Sequence, residues 1–164
     1  LAECVTEVEQ RGWQYGWRSN KMLGFGHWNI SLSDSKVERD EVYHESPQCI
    51  RALWDYIQPR FLPTAPVLVR VYANAHTYGV EGYIHRDSKF PEDETCVIYY
   101  EKDWKPEWAG ETVFFNEEED VIKAILPRYG RMTIFPGNIP HVGRGVSRIC
   151  PVARKVLVLK GRPA

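Results

Sequence analysis

From Val67 onward the chain is a series of short β-branched and aromatic runs, each cut off by proline or glycine. The runs are "VLVRVYANA" (Val67–Ala75), "TCVIYYE" (Thr95–Glu101), "ETVFFN" (Glu111–Asn116), "VIKAIL" (Val121–Leu126), "RMTIFP" (Arg131–Pro136) and "RKVLVLK" (Arg154–Lys160). Each has strand length and is too short for a helix. Turn signals at Pro127–Gly130, Pro136–Asn138 and Gly143–Gly145 separate them. Many short strands with frequent turns must roll up to bury their faces, so a sandwich or barrel is expected. Within the first run, Val67, Val69 and Val71 should share one face. Upstream, one helix stands out. Ser46 can cap it, Pro47 fits its first position, and Ile50, Leu53, Trp54 and Ile57 form one apolar face before Pro59 ends it. Its expected role is to cover one face of the sheet.

Composition narrows the class of molecule. At 43% hydrophobic residues the 164-residue chain can bury the core of one ordinary domain. The formal net charge of −1 gives no general field for a polyanion, which argues against a dedicated nucleic-acid binder. Cys4, Cys49, Cys96 and Cys150 lie far apart and form no C-x-x-C pair. They read as free thiols of a reducing compartment, hence a cytoplasmic protein. No apolar stretch approaches the roughly 20 residues of a membrane span, and no signal-peptide pattern opens the chain. Nothing in the sequence bears on oligomeric state.

The chemistry starts at "YIHRDS" (Tyr83–Ser88). If this stretch is a strand, His85 and Asp87 project to one face and can reach a single cation, while Arg86 turns away toward substrate or solvent. A third ligand must come from elsewhere, and His141 in "NIPHVG", after a strand and a Pro-Gly turn, is the candidate. Two histidines and a carboxylate make the facial triad of non-haem Fe(II) oxygenases, a set that also suits other divalent ions. Arg154 opens the last strand and could bind a carboxylate inside a rolled sheet, with Arg144, Arg148 and Lys155 as competing basic residues. His27, His44 and His76 read as turn or packing residues. The aromatics of "GWQYGW" (Gly12–Trp17), with Trp28, read as packing for the N-terminal layer, a substrate-side surface being the alternative.

Taken in order, "YIHRDS", "ETCVIYYEKDW", "WAGETVFF", "LPRYGRMTIFPGNIPHVG" and "ARKVLVLK" resemble the catalytic core of the 2-oxoglutarate- and Fe(II)-dependent oxygenases. The prolyl 4-hydroxylase-like branch, which includes the oxygen-sensing prolyl hydroxylases, is the most similar. The resemblance implies a double-stranded β-helix (jelly roll, cupin-like), mainly β, backed by N-terminal helix. Residues 1–164 would then be one oxygenase domain, with 1–66 as helical and strand support and 67–160 as the jelly-roll core. It further implies Fe(II) on His85, Asp87 and His141, and 2-oxoglutarate paired with Arg154. Tyr100 falls on a tyrosine that hydrogen-bonds the same carboxylate, Thr112 should line the co-substrate pocket, and Tyr72 is a further candidate hydroxyl. O2 is the other co-substrate, and ascorbate is admitted as an addition.

The implied activity is hydroxylation of an unactivated C–H, with a prolyl residue of a peptide or protein as the leading substrate and succinate and CO2 as products. A free amino acid or small metabolite is the first alternative. Nucleic-acid demethylation on the same fold is the second, prompted by the R-x5-R spacing of Arg148 and Arg154. A non-catalytic cupin-like binding module is the third.

Overall fold

The structure is a computed structural model and describes residues 1–18, 24, 26–35, 37 and 39–164. In chain order the elements are α1 (Ala2–Glu9), β1 (Gln14–Trp17), β2 (His27–Asp34), α2 (Gln48–Phe61), β3 (Val67–His76), β4 (Glu94–Tyr99), a 3₁₀ turn (Pro106–Trp108), β5 (Thr112–Phe115), β6 (Val121–Ile125), β7 (Met132–Pro136), β8 (His141–Gly143) and β9 (Arg154–Arg162). The strands form a six-stranded sheet, β1-β2-β3-β9-β4-β7, and a three-stranded sheet, β6-β5-β8. All pairings are antiparallel. This is the mainly β jelly roll expected from the runs of short strands.

The larger sheet is buried on both faces, which is why β4 and the middle of β9 are apolar on both. On one face Ile50, Trp54 and Ile57 of α2 and Cys4 and Val8 of α1 pack on Val71, Ala73, Cys96, Ile98, Leu157 and Leu159. Each fully buried large apolar side chain there contributes roughly 1.5–3 kcal/mol relative to exposure. On the other face Val97, Tyr99, Val156 and Val158 meet Phe114 and Phe135, forming the inner wall between the sheets. Side chains alternate, so residues of even number on β9 and on β3 from Arg70 onward, and of odd number on β4, face this inner side.

Three local expectations need correction. Ser46 does not cap α2; its hydroxyl donates to the Val42 carbonyl at 2.7 Å, and Pro47 is the N-cap. Pro59 lies inside the helix rather than ending it. Its missing N–H removes the bond to the Asp55 carbonyl, yet the helix runs on to Phe61 and Leu62 N–H closes on the Gln58 carbonyl at 2.9 Å. The β3–β9 register shifts between Leu68 and Arg70, so a bulge at Val69 breaks the alternation of Val67, Val69 and Val71. Leu68 and Val71 both end up in the core under the helices.

The four cysteines are unpaired, as expected for free thiols. Among the described residues no helix is long and apolar enough to cross a membrane.

Candidate active site

A cavity of about 450 Å³ opens between the two sheets. Its floor is two adjacent strands whose inward residues sit in register: His76 beside Arg154, Asn74 beside Val156, Tyr72 beside Val158, and Arg70 beside Lys160. Thr112, His141 and Gly143 of the smaller sheet line the facing side.

"YIHRDS" is not a regular strand. His85 makes one isolated bridge with His141, with His85 N–H to the His141 carbonyl and His141 N–H to the His85 carbonyl, both at 3.0 Å. Asp87 N–H is held by the Gly137 carbonyl at 2.8 Å. The segment is extended enough to keep His85 and Asp87 on one side, and the bridge brings His141 to them. One ligand atom from each of His85, Asp87 and His141 falls within 4.8 Å of the others. The His85 Nε2–Asp87 Oδ1 distance is 3.6 Å, and His141 Nε2–Asp87 Oδ2 is 3.5 Å.

The tautomers suit metal binding. His85 Nδ1 contacts the Tyr83 carbonyl at 2.7 Å and His141 Nδ1 the Ile139 carbonyl at 3.0 Å. A carbonyl only accepts, so both Nδ1 atoms carry hydrogen and both Nε2 lone pairs are free to converge. Asp87 is oriented by Thr95 Oγ1, which donates to Oδ2 at 2.8 Å, and by Lys160 Nζ at 2.7 Å from Oδ1. Burial alone would raise the Asp87 pKa, but the Lys160 ammonium opposes it most strongly, and the carboxyl lies well below its ordinary range. Burial keeps the His141 imidazole below its ordinary pKa, against the pull of Asp87, so it is neutral and ready to ligate. This donor set fits one divalent cation.

The deep end of the cavity is built around Arg154, which is 3% exposed. Its Nε donates to the Gly110 carbonyl at 2.6 Å and its Nη2 to Thr112 Oγ1 at 2.7 Å. Gly110 has a φ of +80°, and a Cβ there would stand 3.2 Å from Arg154 Cδ, so glycine is needed on both counts. No described carboxylate makes an ion pair with Arg154, and a buried guanidinium without one is a site waiting for an anion. The competing basic residues lie elsewhere: Arg144 and Arg148 are exposed, and Lys155 reaches out to Glu9 and Glu101.

Of the tyrosines, Tyr72 lines the cavity and Tyr100 does not. Tyr100 points to the helix side, where its hydroxyl donates to Glu9 at 3.2 Å. Its neighbour Tyr99 has the inward parity and lies fully buried behind the lining residues. The Tyr99 hydroxyl is 2.5 Å from Thr112 Oγ1, and its ring lies 5.3 Å from the Arg154 guanidinium carbon. The candidate hydroxyl near Arg154 is therefore Tyr99.

Lys160 and Thr95 are also at the site, and His76, expected as a turn or packing residue, lines the cavity instead. The open end carries Trp17, Arg18, Asp34 and Arg70. Arg70 lies 5.0 Å from the rings of both Trp17 and Tyr72 and pairs with Asp34 at 3.2 Å. The N-terminal aromatics thus split: Trp13 packs on the core, Tyr15 stacks edge-on with Trp28, and Trp17 is 39% exposed at the cavity mouth. Arg86 is turned outward, ion-paired with Glu117 at 2.8 Å.

The sequence from residue 72 to 159, more than half of the chain, matches the family model of the 2OG-Fe(II) oxygenase superfamily. The chain belongs to that superfamily. It is a 2-oxoglutarate-dependent dioxygenase, with Fe(II), 2-oxoglutarate and O2 as the cofactors its family uses. Among solved structures, this oxygenase is similar to a Pseudomonas putida prolyl-4-hydroxylase (16% identity, 98% of this chain and 83% of that one, TM-score 0.63). It is also similar to an oxidoreductase of the 2OG-Fe(II) oxygenase family from Burkholderia pseudomallei (14%, 98% and 78%, TM-score 0.73). A third is the Trichoplax adhaerens prolyl hydroxylase in complex with a hypoxia inducible factor oxygen degradation domain peptide fragment (14%, 98% and 79%, TM-score 0.63). At these identities the likeness is one of fold. Among curated proteins no sequence matches significantly.

Proposed function

We propose that this oxygenase hydroxylates a prolyl residue in a peptide or protein. The substrate C–H becomes C–OH, 2-oxoglutarate loses CO2 to become succinate, and O2 supplies one oxygen atom to each product. His85, Asp87 and His141 hold the metal. Arg154 and Thr112 hold the distal carboxylate of 2-oxoglutarate, Tyr99 supports them through its hydrogen bond to Thr112, and Tyr72 contributes to the wall of the same cavity. Iron(II) held there supplies the oxygen activation and the oxidative decarboxylation. The protein's own part is to fix the Nε2 lone pairs, orient Asp87 through Thr95 and Lys160, and hold the co-substrate at a dry, cationic end. Residues 1–164 act as one catalytic unit, in which the helices of 1–66 back the sheet of 67–160.

The observation that carries the peptide reading is the shape of the open end. A second groove of about 220 Å³ lies across a wall made by the Arg70–Asp34 and Lys160–Asp87 pairs, so recesses flank these pairs on both sides. Two adjoining recesses suit successive residues of an extended chain better than a compact metabolite. One feature favours the alternative of a free amino acid: Arg70 and Lys160 place two cations where a free carboxylate could sit beside Asp87. Succinate release, measured with proline-containing peptides and with free amino acids, separates the two. Stimulation by peptides alone is the expected result; stimulation only by free amino acids would sink the peptide assignment.

A further inference from the structure

Behind Arg154 lies a row of buried polar side chains that no step above uses. His76 is 5% exposed and His27 3% exposed, and their ring centroids are 5.1 Å apart. His76 Nδ1 and His27 Nε2 are both buried with no hydrogen-bond partner. Two orphaned ring nitrogens on adjacent imidazoles are costly unless they serve each other, directly or through one water. His76 also lines the cavity, beside Arg154 in the β3–β9 register. A Cβ on Gly143 would stand 3.3 Å from both His76 Cε1 and Arg154 Nη1, so this glycine leaves room for the two side chains together.

On the far side of the pair, Asn29 Nδ2 donates to the Ala73 carbonyl at 3.2 Å and to Asn74 Oδ1 at 2.8 Å, which fixes both amides. Of the His76 ring nitrogens, Nδ1 is the buried, unpartnered one, so Nε2 is the ring nitrogen left for the cavity.

We propose that His76 is a further ligand of the co-substrate: as a neutral imidazole it donates Nε2–H to the distal carboxylate of 2-oxoglutarate beside Arg154. The proposal rests on Arg154 being the anchor of that carboxylate. Burial, with the Arg154 charge next to it, holds His76 well below its ordinary pKa, and burial brings His27 down to about 4. Both rings stay uncharged in neutral solution. Arg154 supplies the charge and His76 a fixed N–H, which together favour a dicarboxylate over a 2-oxo acid with an apolar tail. The main chain at Gly143 and Arg144 also lies near the His76 ring and is the competing destination for its hydrogen.

Calorimetry on the Mn(II)-loaded protein, without oxygen, decides between these roles. The ligands are 2-oxoglutarate and 2-oxobutyrate, which offer the metal the same oxo acid but differ at the far end. His76→Phe should weaken 2-oxoglutarate about 10- to 100-fold and leave 2-oxobutyrate within about twofold, the scale of one hydrogen bond to a charged group. His76→Gln, whose amide can place a donor near the Nε2 position, should recover most of the loss. The His76-dependent part of the affinity should be flat from pH 6.5 to 8.5 because no imidazolium is involved. Equal weakening of both ligands, or of neither, overturns the proposal in favour of a structural role. A wild-type protein that binds 2-oxobutyrate but gains nothing from the distal carboxylate refutes the Arg154 anchor itself.

Discussion

The two ends of the cavity are built on opposite principles. At the deep end Arg154, Thr112 and His76 are each 5% exposed or less, and Arg154 is held by a main-chain carbonyl and a hydroxyl. At the open end Trp17 is 39% exposed, and the Arg70–Asp34 pair has side chains 27% and 42% exposed. At the deep end Arg154 and His76 stand on the central strands β9 and β3 of the large sheet, whereas Trp17 belongs to β1 at its edge. A ligand that never changes can be met by a rigid, dry site whose donors are preorganised. A variable partner is met by exposed side chains on a strand with few neighbours, where the cost of change is small.

The contrast predicts unequal responses to mutation and pH. Arg154→Met should weaken 2-oxoglutarate binding roughly 100-fold or more, because two charge-assisted bonds and the buried cation at that end are lost. Calorimetry on Mn(II)-loaded protein measures this, and a comparable loss from Arg70→Gln would erase the distinction between the ends.

Mild acid should also strike the deep end. His27 titrates at about 4 in the folded protein, chiefly because burial penalises its charge, with His85 and Arg154 adding repulsion. A base with a depressed folded pKa leaves stability untouched above its unfolded pKa near 6.5 and removes it as pH falls toward 4. The loss from His27 alone is about 2 kcal/mol at pH 5. Denaturant melts at pH 7.5 and 5 should reveal it, and His27→Phe should flatten that part of the slope. A stability unchanged between the two pH values would mean that His27 is not buried neutral.

Tyr99→Phe should cost about 10-fold in 2-oxoglutarate affinity and Tyr100→Phe nothing, since only Tyr99 meets Thr112. Equal effects would put the parity of β4 in error. Smallest of all, Trp17→Ala should raise the KM of the primary substrate by about two- to fivefold and leave that of 2-oxoglutarate alone, because it touches only the mouth.

The tyrosine pair also marks where sequence reasoning stops. Parity is readable in a strand with one polar face, but β4 is apolar on both faces because helices cover one and the inner wall covers the other. Nothing in "CVIYY" says which tyrosine turns inward. The bulge at Val69 is equally silent. β3 does carry a signal: Arg70, Tyr72, Asn74 and His76 alternate with Val71, Ala73 and Ala75, a polar face opposite an apolar one. That alternation is enough to place His76 inside, though its partner His27 comes from a distant strand. His85, Asp87 and His141 were legible because i, i+2 geometry needs only an extended chain, not a regular strand. Lys160 was hidden in a strand end where a solvated lysine is the ordinary case.

The metal site is the claim on which the rest depends. His85→Ala tests it most cleanly, because removing Asp87 would also strand the Lys160 ammonium. Anaerobic Fe(II) titration followed by 2-oxoglutarate turnover should give one equivalent bound and succinate released by the wild type. The His85→Ala protein should remain folded, bind Fe(II) at least about 100-fold more weakly and release no succinate. A folded His85→Ala variant that binds Fe(II) and turns over 2-oxoglutarate like the wild type would contradict the triad.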